Sequence, residues 1–366
     1  MIRFCAAVRA GLLAALAVLS PLAACAPALP RQTESAAIPP HFAGDVFVTA
    51  DGRRLPLRHW LPPGPPRAVI LALHGFNDYS HAFAGPAVAW AEQGIATYAY
   101  DQRGFGAGFG RGRWWGVEAL AADAVTASRI LRRRYPGVPL YLLGESMGGA
   151  VAIVAATGAA GLPPADADGV VLAAPAVWGR ATMRLLPRLL LWAAVRVAPN
   201  LTLTGRQLHI LPSDNIAMLR ALARDPLVIK ATRVDAIWGL VNLMDAALAA
   251  APRFKGPLLI LYGRRDAIIP PAAIRRFVDG IRDPEARLAY YRQGYHMLLR
   301  DREAPRVIAD VAHWIAMPAA PLLSGADRGA RAALFGVERS AVRVPAGRAN
   351  PRNRAPPARS ARAEAD

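Results

Sequence analysis

The segment Gly144-Glu145-Ser146-Met147-Gly148 places one serine between two glycines, and Gly149-Ala150 extends the run of small residues. By chance, two such glycines flank roughly one serine in 200, so the spacing carries information. The motif sits where an apolar stretch, Leu140 to Leu143, ends and a helix-forming stretch, Ala150 to Ala156, begins. A serine lifted on such a strand-to-helix turn can act as a nucleophile. The glycines are required because the turn is strained and the flanking backbones pass within contact distance.

A serine hydroxyl attacks poorly until a base takes its proton. The chain has 7 histidines. His41, His59 and His81 lie early and read as surface or edge residues; His209 and His313 read as structural. His296, in Gly294-Tyr295-His296, directly follows the last strand-like segment, where ligands gather in sheets of this kind. His296 is therefore the candidate base. Asp266, in Gly263-Arg264-Arg265-Asp266 after the preceding strand, is the candidate carboxylate that fixes its tautomer. Asp301 is the nearest competitor and is expected to cap the final helix instead. A developing oxyanion needs two preorganised donors. The N–H of Met147 follows the nucleophile, and the N–H of Phe76 lies in His74-Gly75-Phe76-Asn77, a loop that His74 is expected to buttress. No metal or cofactor is implied.

These residues need a scaffold that brings distant segments to one edge. Continuous apolar runs at 68–73, 95–100, 140–143, 170–174 and 258–262, with a last strand at 289–291, suit parallel strands buried on both faces. Helix-period segments separate them; the clearest is 118–134, with Arg132 to Arg134 at its C-terminal end, where basic residues complement the helix dipole. Such alternation predicts an α/β fold with a mostly parallel central sheet flanked by helices. Ahead of it, Phe47 to Thr49 and Leu55 to Trp60 read as a strand pair around Asp51-Gly52. Residues 176–252 are rich in Leu, Ala, Arg and Trp, offer no convincing strand, and read as an inserted helical cap. The domain is thus placed at 43–317, and 318–366 as a basic disordered tail.

Taken together, His74-Gly75-Phe76, Asp101-Gln102-Arg103-Gly104-Phe105-Gly106, the segment 144–149, Gly263-Arg264-Arg265-Asp266 and Tyr295-His296-Met297-Leu298 resemble the monoacylglycerol lipase and lysophospholipase group of α/β-hydrolases. The order Ser–Asp–His along the chain agrees. The resemblance covers about residues 44–317. It implies the α/β-hydrolase fold and cofactor-free hydrolysis of carboxylic esters of monoacylated lipids through an acyl-enzyme. This chain departs from the group at Glu145, where many members carry His, and in a weakly matched cap. Leu189, Trp192, Trp238 and Trp115 are the candidate pocket residues. A serine aminopeptidase or thioesterase would keep the same triad, and an acidic cap residue, Asp214 or Asp235, would favour the aminopeptidase. A non-catalytic lipid-binding lipoprotein is the third reading.

The N-terminus reads as an address. Arg3 and Arg9 precede an apolar run, too short to span a bilayer comfortably, that ends in Leu22-Ala23-Ala24-Cys25. This resembles the bacterial lipoprotein box, with 1–24 as signal peptide, Cys25 as the lipidated residue and 25–42 as linker. An ordinary signal peptide cleaved near the same residues is the other reading. Because Ala26 follows Cys25, the resemblance implies a lipid-anchored protein of the cell envelope, on the periplasmic side of the outer membrane. The only other cysteine is Cys5, so the body has no Cys-based metal site or disulfide. The net charge of +18 is spread as Arg over the body and tail, without a basic stripe interleaved with aromatics. Solvated surface arginine explains it, and a nucleic-acid partner is not expected.

Overall fold

The computed structural model describes residues 39–205 and 210–336. The expected signal peptide over 1–24, Cys5, Cys25, His209 and residues 337–366 lie outside the described residues. In chain order the elements are β1 (His41–Ala43), β2 (Val46–Val48), β3 (Arg54–Trp60), β4 (Ala68–Leu73), α1 (Ala84–Ala91), β5 (Ile95–Tyr100), α2 (Val117–Arg134), β6 (Leu140–Glu145) and α3 (Met147–Thr157). They continue with β7 (Gly169–Ala173), α4 (Leu185–Val197), β8 (Thr202–Thr204), α5 (Ile216–Arg224), β9 (Ala231–Arg233), α6 (Val234–Ala250) and β10 (Leu258–Gly263). The last are α7 (Pro271–Gly280), β11 (Ala286–Tyr291), α8 (Ala304–Ala316) and α9 (Ala330–Phe335).

β4, β5, β6, β7 and β10 lack the polar alternation of a one-sided sheet, and nearly all their residues are buried. They must therefore be covered on both faces. One nine-stranded sheet results, in the order β1-β2-β3-β5-β4-β6-β7-β10-β11. From β5 to β11 neighbouring strands are parallel; β1, β2 and β3 add an antiparallel edge. One face packs on α2, α3, α6 and α7, with Leu120, Val151, Leu243 and Phe277 fully or almost fully buried. The other packs on α1 and α8 through Trp90 and Trp314. The Trp90 indole N–H also donates to the Ile308 carbonyl at 3.0 Å, joining those two helices. Fully burying one such aliphatic or aromatic side chain contributes about 1.5–3 kcal/mol.

The strand order positions the site. From β4 the chain steps to β5 on one side, then returns to β6 on the other. The loops leaving β4 and β6 therefore diverge at adjacent strand ends, Leu73 opposite Gly144, and open a crevice at this switch point. β10 and β11 end in register, Gly263 opposite Tyr291, so their loops also emerge side by side.

The structure corrects the sequence reading in four places. Residues 176–252 do contain strands: β8 and β9 form a small antiparallel pair. Helix α6, assigned to the cap, packs on α3 and α2 in the helical layer beside the sheet. Within the stretch taken as linker and domain start, His41–Ala43 is an edge strand paired with β2. Residues 318–336, assigned to the tail, are placed against the domain: Leu322 and Leu334 are buried, and Arg287 donates to the carbonyls of Ala319 and Ala320.

Candidate active site

Ser146 stands between β6 and α3 with φ 54° and ψ −116°, a conformation that costs a non-glycine residue energy and persists only where its surroundings impose it. The surroundings are backbone. The Ser146 N–H donates to the Ala173 carbonyl, and the Ser146 carbonyl accepts from Ala176, both at 2.9 Å. A side chain at Gly144 would put its Cβ 2.3 Å from the Gly148 carbonyl oxygen. Only glycine lets the turn close, as the motif requires.

The other two residues arrive on the adjacent loops. His296 Nε2 lies 2.9 Å from Ser146 Oγ, and its Nδ1 lies 2.8 Å from Asp266 Oδ2. The second Asp266 oxygen accepts from the N–H groups of Ile268 and Ile269 at 2.8 and 2.9 Å, which fixes the carboxylate. A carboxylate facing Nδ1 places the proton there, leaving Nε2 to accept from the hydroxyl. Both residues are buried and Ser146 is half-buried. Burial disfavours the imidazolium, but the Asp266 carboxylate with its hydrogen bond and the Glu145 charge together outweigh this, and the imidazole is held above its ordinary 6.5.

That direction has a consequence for rate. A general base works only when neutral, so kcat/KM on a neutral soluble ester should rise with pH through the imidazole pKa. Its acid-side midpoint is expected above 6.5. A pH profile with that midpoint below 6.5 would contradict the balance of burial and charge described here.

The loop carrying Phe76 is braced by hydrogen bonds. His74 Nε2 accepts from the Gln102 backbone N–H at 2.9 Å, so Nδ1 carries the proton and donates to the Gly75 carbonyl, also at 2.9 Å. Burial lowers this imidazole's pKa and keeps it neutral. The Gln102 side chain donates to the His74 carbonyl at 2.9 Å. Met147 opens α3, where a backbone N–H has no intrahelical acceptor. Phe76 shares with Ser146 the wall of one cavity of about 480 Å³. Trp178, Met183, Leu191, Ile237, Leu240 and Met244 make most of the remaining wall apolar.

None of the four candidate pocket residues, Leu189, Trp192, Trp238 and Trp115, lines this cavity. Leu189 is 53% exposed, because it lies on the outer face of α4, and Leu191, two residues on, points inward. Trp192 and Trp238 lie under the guanidinium groups of Arg196 and Arg180, at 4.1 and 4.2 Å. On α6 the inward row is Ile237, Leu240, Val241 and Met244, at helical spacing, which leaves Trp238 beside it. Trp115 packs on Phe109, with ring centroids 4.8 Å apart.

Other residues were not legible as part of the site. Asp301 does not cap the final helix with its side chain; it accepts from the Tyr295 N–H at 2.8 Å and braces the base-bearing loop. The Pro212 carbonyl accepts from the N–H groups of His296 and Met297, so the insertion also holds that loop. Asp101, in the Asp-Gln-Arg-Gly motif, is buried and accepts from Ser80, Arg58 and Ala107. Among the described residues, no group of three or more His, Cys, Asp or Glu is arranged to hold a metal ion.

The family model described as "serine aminopeptidase, S33" matches residues 64–303. The chain is also 30% identical, over 73% of its length and 87% of the relative's, to the monoglyceride lipase of Mus musculus. This chain is an α/β-hydrolase of the monoacylglycerol lipase-like group. The monoacylglycerol lipase of Mycolicibacterium smegmatis is 29% identical over 74% of this α/β-hydrolase and 95% of its own length. Among solved structures, the monoacylglycerol lipase of Paleococcus ferrophilus superposes with a TM-score of 0.59 at 23% identity, over 71% of this chain and 98% of its own. A soluble variant of the Saccharomyces cerevisiae monoglyceride lipase, in complex with a substrate analogue, gives 0.58 at 17%, over 79% and 97%. At such identities these two establish the fold of the hydrolase.

Proposed function

We propose that this hydrolase cleaves the carboxylic ester of monoacylated lipids, monoacylglycerol above all, through an acyl-enzyme on Ser146. The observation that carries the reading is the unbroken relay from Asp266 through His296 to the Ser146 hydroxyl, opening into an apolar cavity. Monoglyceride lipase relatives aligned over nearly their whole length support the substrate class.

The chemistry follows from the geometry. His296 Nε2 takes the hydroxyl proton as Ser146 Oγ attacks the ester carbonyl. Negative charge develops on the carbonyl oxygen and is met by the N–H groups of Met147 and Phe76. The imidazolium, stabilised by Asp266, then protonates the leaving alcohol. Water repeats the sequence against the acyl-enzyme and releases the fatty acid. The apolar wall accepts the methylene chain, each buried methylene contributing about 0.8 kcal/mol.

An aminopeptidase needs a free carboxylate for the substrate amine. Asp214 accepts from the Arg302 N–H at 2.9 Å, and Asp235 is paired with Arg233. The two carboxylates lining the cavity, Asp78 and Glu145, are both paired with Arg300. The deciding assay offers the purified protein monoacylglycerols of graded chain length beside acyl thioesters and aminoacyl amides. Fastest turnover of the monoacylglycerols is expected; faster cleavage of the amides or thioesters would overturn the substrate assignment.

The same reading places the enzyme at a membrane through acylation of Cys25, supported by the basic segment, apolar run and small-small-Cys ending before it. Two or three acyl chains make such attachment stable where one does not. Expressed from its full gene in a bacterium, the enzyme should fractionate with membranes and Cys25→Ser with the soluble proteins. Equal membrane attachment of both would refute the tether.

A further inference from the structure

The loop carrying Phe76, the turn carrying Ser146 and the loop carrying His296 meet at the site, and one buried side chain on the last touches the other two. Arg300 lies four residues after His296. Its Nη1 is 2.8 Å from Asp78 Oδ2, and its Nη2 is 2.9 Å from Glu145 Oε2. Asp78 belongs to the oxyanion loop, two residues after Phe76, and its other oxygen accepts from the Tyr79 N–H at 2.9 Å. Glu145 is the last residue of β6 and precedes Ser146. The three side chains are 10%, 8% and 2% exposed.

We propose that Arg300 is a positioning residue whose guanidinium, forked between Asp78 and Glu145, holds the oxyanion loop, the nucleophile turn and the base-bearing loop in catalytic register. The inference rests on the acyl-enzyme reading. Two carboxylates facing one another in a buried site repel, and only a cation between them lets both remain ionised. Arginine suits the place because its planar fork offers separate donors in fixed directions, which an ammonium does not. The backbone around it is equally determined: the Arg300 N–H donates to the Met297 carbonyl at 2.8 Å, and its carbonyl accepts from the Asn215 side chain at 3.0 Å. Glu145 is also where this chain departs from the histidine of many family members. The pairing of Glu145 with Arg300 ties the turn to the base loop.

The clasp also contributes to the field at the imidazole, behind burial and the Asp266 carboxylate. Facing His296 are Asp266 from the β10 loop, Glu145 from β6 and Arg300 from its own loop, with Asp78 across the guanidinium and the buried neutral His74 behind it. Removing the Glu145 charge withdraws support from the imidazolium, so the base ionises at lower pH.

The test uses the whole protein and the variants R300Q, R300K and E145Q, with kcat and KM on a soluble short-chain ester, fluorophosphonate labelling rates at Ser146, and thermal midpoints. A misplacement of about 1 Å among reacting groups costs about a hundredfold in rate. R300Q is accordingly expected to lose about a hundredfold in kcat and in labelling rate, with KM within about threefold, and R300K about tenfold. E145Q should move the acid-side midpoint of kcat/KM to lower pH, a readout that a merely structural role leaves in place. If R300Q does not fold, R300K carries the same test. Folded R300Q or R300K with wild-type kcat would overturn the proposal, as would a loss confined to KM or an E145Q profile that does not move. Failure of wild-type Ser146 to react with the probe would instead defeat the acyl-enzyme reading itself.

Discussion

Ser146→Ala is expected to lower ester turnover by about a millionfold, the scale on which a triad nucleophile's removal acts. The size follows from the geometry around the hydroxyl. His296 and Asp266 stay in place in the variant, but the imidazole then has no oxygen within reach to activate except water. A water molecule there has neither the 2.9 Å Oγ–Nε2 contact nor the backbone-fixed position of Ser146. The oxyanion donors and the apolar cavity survive, so a residual acceleration over solution of about 10³–10⁴ should remain. Because alanine only removes an oxygen, the thermal midpoint should change little. Turnover within about tenfold of wild type, in protein free of contaminating esterase, would remove Ser146 from the mechanism.

The second large effect concerns folding. A Cβ at Gly148 would lie 1.9 Å from the Leu73 carbonyl oxygen and 2.7 Å from that of His74, distances that no real side chain tolerates. Both obstacles are backbone, so neither can rotate aside. Relief requires α3 to withdraw from β4, the contact that brings the nucleophile turn beside the oxyanion loop. Gly148→Ala should therefore cost more than about 4 kcal/mol, which few substitutions do and which consumes much of a domain's stability. Gly149→Ala is the control, since its Cβ would meet Pro175 at 3.0 Å, and a smaller loss is expected there. Urea unfolding of the two variants measures the difference; a Gly148→Ala midpoint equal to wild type would contradict the packing described.

The central sheet was legible because its strands are buried on both faces. Ala68–Leu73 and Ile95–Tyr100 match their apolar runs end to end, and α2 begins one residue before its expected start. The nucleophile turn was legible for a related reason: backbone crowding admits only glycine, and glycine is visible in sequence. The insertion was harder. β8 and β9 are three residues each and largely exposed, so no burial pattern marks them. Helix α6 has the Ala and Leu content of a cap helix, and composition does not reveal that its Gly239 face meets Trp114. The pocket failed for want of helical phase. Trp192 and Trp238 read as pocket residues because they are large and apolar, whereas their flat faces serve arginines and smaller neighbours line the cavity. The Asp78–Arg300–Glu145 clasp spans 222 residues of chain, and its pairing is set by strand order, which single charged residues do not encode.

The most direct measurement is to quench the enzyme with acid during turnover of a slow ester substrate and weigh its peptides. An acyl group on the peptide bearing Ser146, absent in Ser146→Ala and formed far more slowly in His296→Gln, is the predicted result. Ester hydrolysis at an undiminished rate with the acyl group on another residue, or with no covalent species under conditions that trap one, would contradict the account.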